Sequence, residues 1–356
     1  MNPSDGVQRR RETAAVPPHR SRSSQPVEPL RLLLPDGRPA FSLVARGLWG
    51  MRLHFVLYDP DLAAVPEEAP TYARSTAMDS LCQPRPTIVF VHGFQSDWQA
   101  WKDVLSRLGS DHRAIALDLP GHGHSAKPLT TYTIPFYARA VASFLAYLRR
   151  LGATTGSATA TTEEPRQLSP KSPAPLTLAG VSLGGAIAAR TALDYPFLVD
   201  RLVLVDAAGI GKRPQPWSSR RRFLPMLFWQ ILGRPQPSVI RSAYQSSLFH
   251  RPKKVQDALV NETIATQRAC RLASLLTGIT LGLPSARTYA DLPRLQQPTL
   301  LVWGRHDRVF ALQDALEAQT RIPHAKLVVI EDAGHVPMQE VPEAFARALR
   351  QFIQEE

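Results

Sequence analysis

A six-residue turn, Gly180-Val181-Ser182-Leu183-Gly184-Gly185, sets a serine between a predicted strand and a predicted helix. The apolar run 176–181 is typical of a buried strand, and residues 183–195 have the pattern of a helix. A direct turn from strand to helix strains the backbone at the serine, and only residues without side-chain bulk fit beside it. The helix N-terminus then directs free N–H groups at the serine oxygen. This context predicts a serine nucleophile; a glycine-rich turn with a capping serine is the alternative.

Strand-like and helix-like segments alternate on both sides of this turn. Strands are predicted at 41–45, 51–58, 87–91, 114–117, 176–181, 201–206, 299–303 and 326–330. Helices are predicted at 98–108, 133–151, 183–195, 311–321 and from 342 onward. Most of the strands are continuous apolar runs, which are typical of a parallel sheet buried on both faces. We therefore predict an α/β fold, with a mostly parallel eight-stranded sheet and flanking helices.

Three segments depart from this alternation. Residues 1–40 are rich in Pro, Ser and Arg without periodicity, which predicts a disordered N-terminal arm. Residues 152–175 have the composition of a flexible surface insertion. Residues 209–290 are helical in pattern, basic and punctuated by proline, and we predict a helical cap inserted after the sixth strand. The core domain would then comprise residues 41–208 and 291–356.

A serine hydroxyl is a poor nucleophile until a base takes its proton. His335 follows the last predicted strand, at the edge of a parallel sheet where active-site loops gather. Asp307 follows the preceding strand and gives the chain order Ser, Asp, His. Asp206, after a different strand, is the rival carboxylate, although we expect it to shape the loop that enters the cap. The remaining histidines that we considered are expected to be structural or exposed: His54, His112, His250, His306 and His324.

The turn His92-Gly93-Phe94 follows the predicted strand 87–91. We expect the backbone N–H of Phe94 and that of Leu183 to form an oxyanion hole, which stabilises the charge that develops on a carbonyl oxygen under attack. His92 is expected to brace this loop rather than to act as a catalyst.

The positive charge of the chain is unevenly distributed. Lys and Arg number 42 against 30 acidic residues, a net charge of +12, and residues 210–254 hold ten Lys and Arg with no acid. Residues 220–232 place a cationic cluster beside an apolar aromatic stretch, so the basic cap is a candidate for peripheral contact with an anionic membrane. The alternative is a solvated lid whose apolar stretch faces the pocket. No basic stretch is interleaved with aromatics as in a nucleic-acid groove, and no nucleic-acid partner is expected.

Cysteine content and apolar runs bear on the compartment. Cys82 and Cys270 lie far apart without metal-type spacing, and are expected to be reduced. No run reaches the roughly 18 apolar residues of a membrane span. No apolar segment follows Arg9, Arg10 and Arg11, so no secretory signal is expected. We expect a cytoplasmic protein, with an organelle-targeted N-terminus as the alternative.

At these motifs the sequence resembles the α/β-hydrolase superfamily, from about Met51 to the C-terminus. Four motifs occur in the family's order: His92-Gly93-Phe94, Asp118-Leu119-Pro120-Gly121-His122-Gly123-His124-Ser125, Gly180-Val181-Ser182-Leu183-Gly184 and Ala333-Gly334-His335-Val336-Pro337, followed by Glu340 and Pro342. The set resembles the branch of esterases, monoacylglycerol lipases and carbon–carbon-bond hydrolases. Ser182 argues against epoxide hydrolases and haloalkane dehalogenases, since these have an aspartate at this position.

Residues and resemblance together predict a serine hydrolase that cleaves a small-molecule carboxylic ester with an apolar or lipid-like acyl group, through an acyl-enzyme on Ser182. The triad supplies nucleophile, base and charge stabilisation, so neither a metal nor an organic cofactor is expected. Carbon–carbon-bond hydrolysis and acyl transfer on the same triad are the alternatives within the enzyme class. A non-catalytic small-molecule-binding or assembly protein is the alternative outside it.

Overall fold

A computed structural model describes residues 30–47, 50–64, 70–108, 111–153, 174–212, 234–280 and 288–355. Within these ranges, nine strands form one sheet in the order β1-β2-β3-β5-β4-β6-β7-β8-β9. The strands are β1 (Leu30–Leu33), β2 (Pro39–Arg46), β3 (Arg52–Tyr58), β4 (Thr87–Val91), β5 (Arg113–Leu117), β6 (Leu176–Val181), β7 (Arg201–Val205), β8 (Thr299–Gly304) and β9 (Ala325–Ile330). Strands β1 to β3 pair antiparallel, β3 pairs antiparallel with β5, and every pairing from β5 to β9 is parallel.

Helices cover both faces of the parallel part, so every residue of β4, β5, β6 and β8 is buried. The α-helices of the described residues are α1 (Pro70–Cys82), α2 (Lys102–Leu105), α3 (Ile134–Ala153), α4 (Leu183–Asp194), α5 (Pro237–Ala243), α6 (Asp257–Ala269), α7 (Arg271–Thr280), α8 (Leu312–Arg321), α9 (Pro337–Glu340) and α10 (Pro342–Gln354). One apolar layer includes Tyr137, Phe144 and Ile187 of α3 and α4, and the other includes Trp101 and Phe345. The predicted α/β fold with a mostly parallel sheet is confirmed.

The sheet has one strand more than the eight predicted. Strand β1 lies within the range 1–40 that was predicted as an arm, and it pairs with β2 from Leu30↔Ser42 to Leu33↔Pro39. Four residues are too few to show a period on their own, and β1 is specified by its pairing with β2. The disorder prediction for residues 1–29 lies outside the described residues.

Two further elements differ from the sequence prediction. No helix is predicted between the strands at 51–58 and 87–91, but the structure has α1 there. The helix predicted over 98–108 is a chain of short turns, with 3₁₀ turns at Trp98–Trp101 and Ser106–Leu108 on either side of α2.

The helices of residues 234–280, between β7 and β8, lie inside the range 209–290 that was predicted as a cap, and these described residues are called the cap below. Because β1 adds a strand, this segment follows the seventh strand rather than the sixth. Residues 234–280 contain α5, a π-helical turn at Tyr244–Leu248, α6 and α7. Residues 154–173 of the predicted insertion, and residues 213–233 and 281–287 of the predicted cap, lie outside the described residues. Across the described ranges, none of the helices combines the length and the apolar character that crossing a bilayer requires.

Candidate active site

The predicted site residues follow the carboxyl ends of neighbouring parallel strands. Ser182 comes directly after β6, Asp206 directly after β7, Asp307 three residues after β8 and His335 five residues after β9. These strands are adjacent in the sheet. Because parallel strands end at the same edge, the fold collects all four residues there.

Ser182 has the strained backbone that the turn from strand to helix predicts. Its φ of 54° and ψ of −118° lie outside the regions that L-residues ordinarily adopt. The flanking glycines are required by close backbone approach: a Cβ atom on Gly180 would lie 2.1 Å from the Gly184 carbonyl oxygen, and one on Gly184 would lie 2.3 Å from that of Val91. The Ser182 N–H donates to the Val205 carbonyl at 2.9 Å, which ties the turn to β7.

His335 and Asp307 form a hydrogen-bonded pair. The Nδ1 of His335 lies 2.8 Å from Oδ2 of Asp307, and the two side chains are 4% and 0% exposed. Oδ1 of Asp307 accepts from the N–H groups of Val309 at 2.6 Å and Phe310 at 3.1 Å. The carboxylate only accepts, so Nδ1 carries the proton. Nε2 of His335 has no hydrogen-bond partner in the described part of the chain, which leaves it available as a base.

The loop that carries His335 is held by the cap. The N–H of His335 donates to the Leu248 carbonyl at 2.7 Å. Glu340 is 2% exposed, and its carboxylate accepts from the N–H groups of Gly334 at 2.8 Å, His250 at 2.9 Å and Arg251 at 2.5 Å. Glu340 therefore joins the histidine loop to the cap. Sequence reasoning quoted Glu340 beside the histidine motif but assigned it no role.

The predicted oxyanion loop is oriented by His92. This side chain is fully buried; its Nδ1 donates to the Gly93 carbonyl at 2.8 Å and its Nε2 accepts from the Leu119 N–H at 3.1 Å. The C=O and N–H of a trans peptide point in opposite directions, so the bond to Gly93 turns the Phe94 N–H away from His92. Among the described residues, no carbonyl accepts the N–H of Phe94 or of Leu183. His92 thus braces the loop, in agreement with the sequence prediction.

The cap also supports this loop. Gln95 has a φ of 58°, and its Oε1 accepts from Gln267 Nε2 of α6 at 3.3 Å. Thr266, also on α6, donates its hydroxyl to Asp97 at 2.6 Å. Burial, together with the charge of Asp118, raises the pKa of Asp97. No sequence pattern connects residues about 170 positions apart, so these contacts could not be predicted.

Asp206, the rival carboxylate, lies beside the pair rather than in it. It is fully buried, and its Oδ1 accepts from the Gly304 N–H at 3.0 Å. The polar atoms of Asp206, Asp307 and His335 lie within 4.8 Å of one another, a grouping that could hold a metal ion. However, two ligands on a tetrahedral zinc stand about 3.3 Å apart. The 2.8 Å contact between His335 and Asp307 is that of a direct hydrogen bond.

Most of the histidines that the sequence set aside have structural or exposed positions, and His112 is half-buried. His54 is buried and hydrogen-bonded to Asp118, whereas His306 and His324 are exposed. His250 stacks on His306 with ring centroids 3.7 Å apart.

Several cations of the basic segment 210–254 are engaged within the protein. Arg241 pairs with Asp257, Arg251 pairs with Asp332, and Lys254 donates to the Glu340 carbonyl. The cluster at 220–232 lies outside the described residues. Contact with an anionic membrane therefore stays a prediction.

Over residues 88–348 the chain matches the model of the alpha/beta hydrolase family. It is 28% identical over 283 residues to an uncharacterized protein of Mycobacterium tuberculosis, with 75% of each chain covered. It is 24% identical over 270 residues to the pimeloyl-(acyl-carrier protein) methyl ester esterase of Aliivibrio salmonicida, covering 76% of this chain and 92% of that protein. The solved structure of a membrane phospholipase A has the same fold, with a TM-score of 0.61, 24% identity and coverage of 88% of this chain and 86% of that one. The chain therefore belongs to the alpha/beta hydrolase family, as the sequence resemblance predicted, and its relatives include a methyl ester esterase.

Proposed function

We propose that Ser182, His335 and Asp307 form a catalytic triad that hydrolyses a carboxylic ester. The observation that carries this proposal is the 2.8 Å bond between His335 Nδ1 and Asp307, which leaves Nε2 unbonded among the described residues. This imidazole stands at the sheet edge where Ser182 is held in a strained turn. A serine and an oriented base at one sheet edge are the two groups that acyl transfer requires.

The reaction follows from these positions. His335 Nε2 removes the proton of the Ser182 hydroxyl as Oγ attacks the ester carbonyl carbon, and Asp307 stabilises the imidazolium that forms. The N–H groups of Phe94 and Leu183 stabilise the tetrahedral oxyanion. The carbon–oxygen bond breaks, and His335 returns the proton to the leaving alcohol. Water, deprotonated by His335, then attacks the acyl-enzyme, which releases the carboxylic acid and restores the serine hydroxyl.

Apolar side chains beside these groups support an apolar acyl group. The ring of Phe310 lies 5.3 Å from the ring of His335, measured between centroids. The ring of Phe94 faces helix α7, since a Cβ atom on Gly278 would lie 3.9 Å from its Cζ. Phe310 thus borders the proposed base, and Phe94 carries the proposed oxyanion donor on its own backbone. Relatives that include a methyl ester esterase and a phospholipase fold agree with this substrate class.

The test is turnover of p-nitrophenyl esters from acetyl to palmitoyl, together with labelling by a fluorophosphonate probe. We expect Ser182→Ala to abolish labelling and to lower kcat by a factor on the order of 10⁴ or more. Ser143→Ala is the matched control, because its hydroxyl bonds within α3 to the Ala140 carbonyl. It should retain both signals.

The same experiment separates the alternatives. Wild-type protein that is folded but does not label would contradict the triad and favour a binding role. Labelling at Ser182 without turnover of any ester would instead favour carbon–carbon-bond hydrolysis or acyl transfer. The preferred chain length among the esters would measure the size of the acyl pocket.

A further inference from the structure

Asp206 occupies a strained and fully buried position at the edge of the proposed site. Its φ is 40°, and its side chain is inaccessible to solvent. Its N–H donates to the Val302 carbonyl at 3.0 Å. On either side of it, the Val205 carbonyl accepts from the Ser182 N–H and the Ala208 N–H donates to the Ser182 carbonyl, both at 2.9 Å. The backbone around Asp206 is therefore locked to the nucleophile turn, and its strain is stored at the site.

The carboxyl group of Asp206 has one satisfied oxygen and one that lacks a donor. Oδ1 accepts from the Gly304 N–H at 3.0 Å, whereas Oδ2 is buried and has no hydrogen-bond partner within the described ranges. None of the described Lys or Arg residues forms an ion pair with Asp206. The titratable groups that face it are Asp307 and His335, whose polar atoms lie within 4.8 Å of its own. A buried oxygen without a donor is costly when the carboxylate is charged.

Two neighbouring buried carboxylates cannot both carry a charge at low cost. Asp307 already accepts two backbone N–H groups and the proton of His335, which stabilise its ionised form. Asp206 accepts only one N–H, so the shared proton belongs on Asp206. Burial and the charge of Asp307 raise the pKa of Asp206 well above its ordinary value, in agreement with this assignment.

We propose that Asp206 is a positioning residue that keeps its proton on Oδ2 and donates it to the carboxylate of Asp307. This role rests on the triad proposed above. The added hydrogen bond holds the Asp307 carboxylate in place and disperses its charge, so that His335 keeps its orientation. It also explains why the chain retains a second acid beside the pair without using it as the partner of His335.

Two variants separate a proton donor from a charged neighbour. Asp206→Asn keeps an uncharged group that can donate to Asp307, and Asp206→Ala removes the donor. We expect Asp206→Asn to retain kcat/KM within about threefold, with an unchanged acid limb of its pH profile. Asp206→Ala should lower kcat on the order of 10–100-fold, because Asp307 loses its support. Its acid limb should move to higher pH, since the undispersed charge of Asp307 favours protonated His335.

Different results would overturn the proposal. An acid limb that moves to lower pH in Asp206→Asn means that a negative charge was removed, so Asp206 is ionised. Two variants that lose only thermal stability, with unchanged pH profiles, indicate a purely structural role. Activity that survives Asp307→Asn but is lost in the double variant with Asp206→Asn makes Asp206 the partner of His335.

An infrared measurement tests the proton independently of catalysis. At pH 7, the difference spectrum between wild type and Asp206→Asn should contain the C=O stretch of a protonated carboxyl group. A carboxylate band in its place would refute the assignment. If this band is present but the wild type neither labels nor turns over esters, the proposed function is wrong. The assignment of a proton to Asp206 is still supported in that case.

Discussion

Two buried aspartate–histidine pairs in this molecule have almost the same geometry. The Nδ1 of His335 lies 2.8 Å from Asp307, and the Nδ1 of His54 lies 2.7 Å from Asp118. In both pairs the histidine side chain is 4% exposed and the aspartate side chain 0%. Each aspartate also accepts two backbone N–H groups. Measured only by distance and burial, the two pairs are indistinguishable.

The second nitrogen of each histidine differs. Nε2 of His54 lies 2.7 Å from the hydroxyl of Ser42 on β2, so both ring nitrogens of His54 are engaged. Nε2 of His335 has no such partner in the described part of the chain. His54 stands on a strand, whereas His335 stands on a loop tied to the cap. A histidine that is oriented by an aspartate is a candidate base only where Nε2 has no partner within the protein. Where Nε2 is also bonded, the histidine is a structural cross-link.

The comparison is tested most strongly by replacing each histidine in turn. We expect His335→Gln to lower kcat on p-nitrophenyl esters by a factor on the order of 10⁴, because no base remains for Ser182. The matched His54→Gln should keep kcat per folded molecule within about threefold and should lower the free energy of unfolding by about 1–3 kcal/mol. Comparable loss of kcat in both variants would contradict the assignment of roles.

A smaller effect on turnover is expected at Glu340, which holds the loop of His335 to the cap. Glu340→Ala removes the acceptor for Gly334, His250 and Arg251, and so frees the loop of His335 from the cap. We expect kcat to fall on the order of 10–100-fold as the base loses its position. Glu340→Gln keeps one acceptor oxygen and should rescue part of this loss. Steady-state kinetics at saturating ester, with melting curves for each variant, measure the effect.

Replacing Asp118 and replacing Asp307 should have different effects on the free energy of unfolding, and not only on kcat. Oδ2 of Asp118 accepts from both His54 and the His124 N–H, so an Asn amide there leaves one N–H without a partner. Oδ2 of Asp307 accepts from His335, whose ring can exchange tautomer. Asp118→Asn should therefore cost about 1–3 kcal/mol more than Asp307→Asn in urea unfolding. Equal costs would show that the two carboxylates are held in the same way.

Acid should lower the stability of the fold through two buried histidines near Asp118. Burial lowers the pKa of His122 to about 3, and its ring centroid lies 5.0 Å from that of His92, whose pKa burial also lowers. Below the unfolded value near 6.5, the unfolded chain binds protons that the folded chain excludes. Stability should thus fall as the pH drops from about 6.5 toward 3, by up to about 1.4 kcal/mol per pH unit for each buried histidine.

Urea midpoints at pH 7 and pH 5 measure this slope. His122→Asn should reduce this slope by up to about 1.4 kcal/mol per pH unit, which corresponds to one bound proton. Ser143→Ala, which removes no titratable group, should leave the slope unchanged. A slope that is the same in wild type and His122→Asn would mean that His122 titrates normally.

The parts of the site that could be predicted from sequence depend on short-range constraints. The nucleophile turn could be predicted because two positions within a few residues of Ser182, Gly180 and Gly184, have no room for a Cβ atom. Asp307 and His335 could be predicted because each follows a strand, and parallel strands end at the same edge of the sheet. Strand β1 and helix α1 were missed, since neither carries a strong period of its own.

What sequence reasoning could establish here is chemistry, namely a nucleophile, a base and an acid in a given chain order on a parallel sheet. It could not show that His335 and His54 both bond to an aspartate. Nor could it find the hydrogen bonds of Glu340 to the cap or locate a proton between Asp206 and Asp307. Those properties depend on distances of a few ångströms between residues far apart in the chain. Residue type and spacing determine which groups are present, whereas the packing of loops against the sheet and the cap determines which nitrogen is free and which carboxyl is charged.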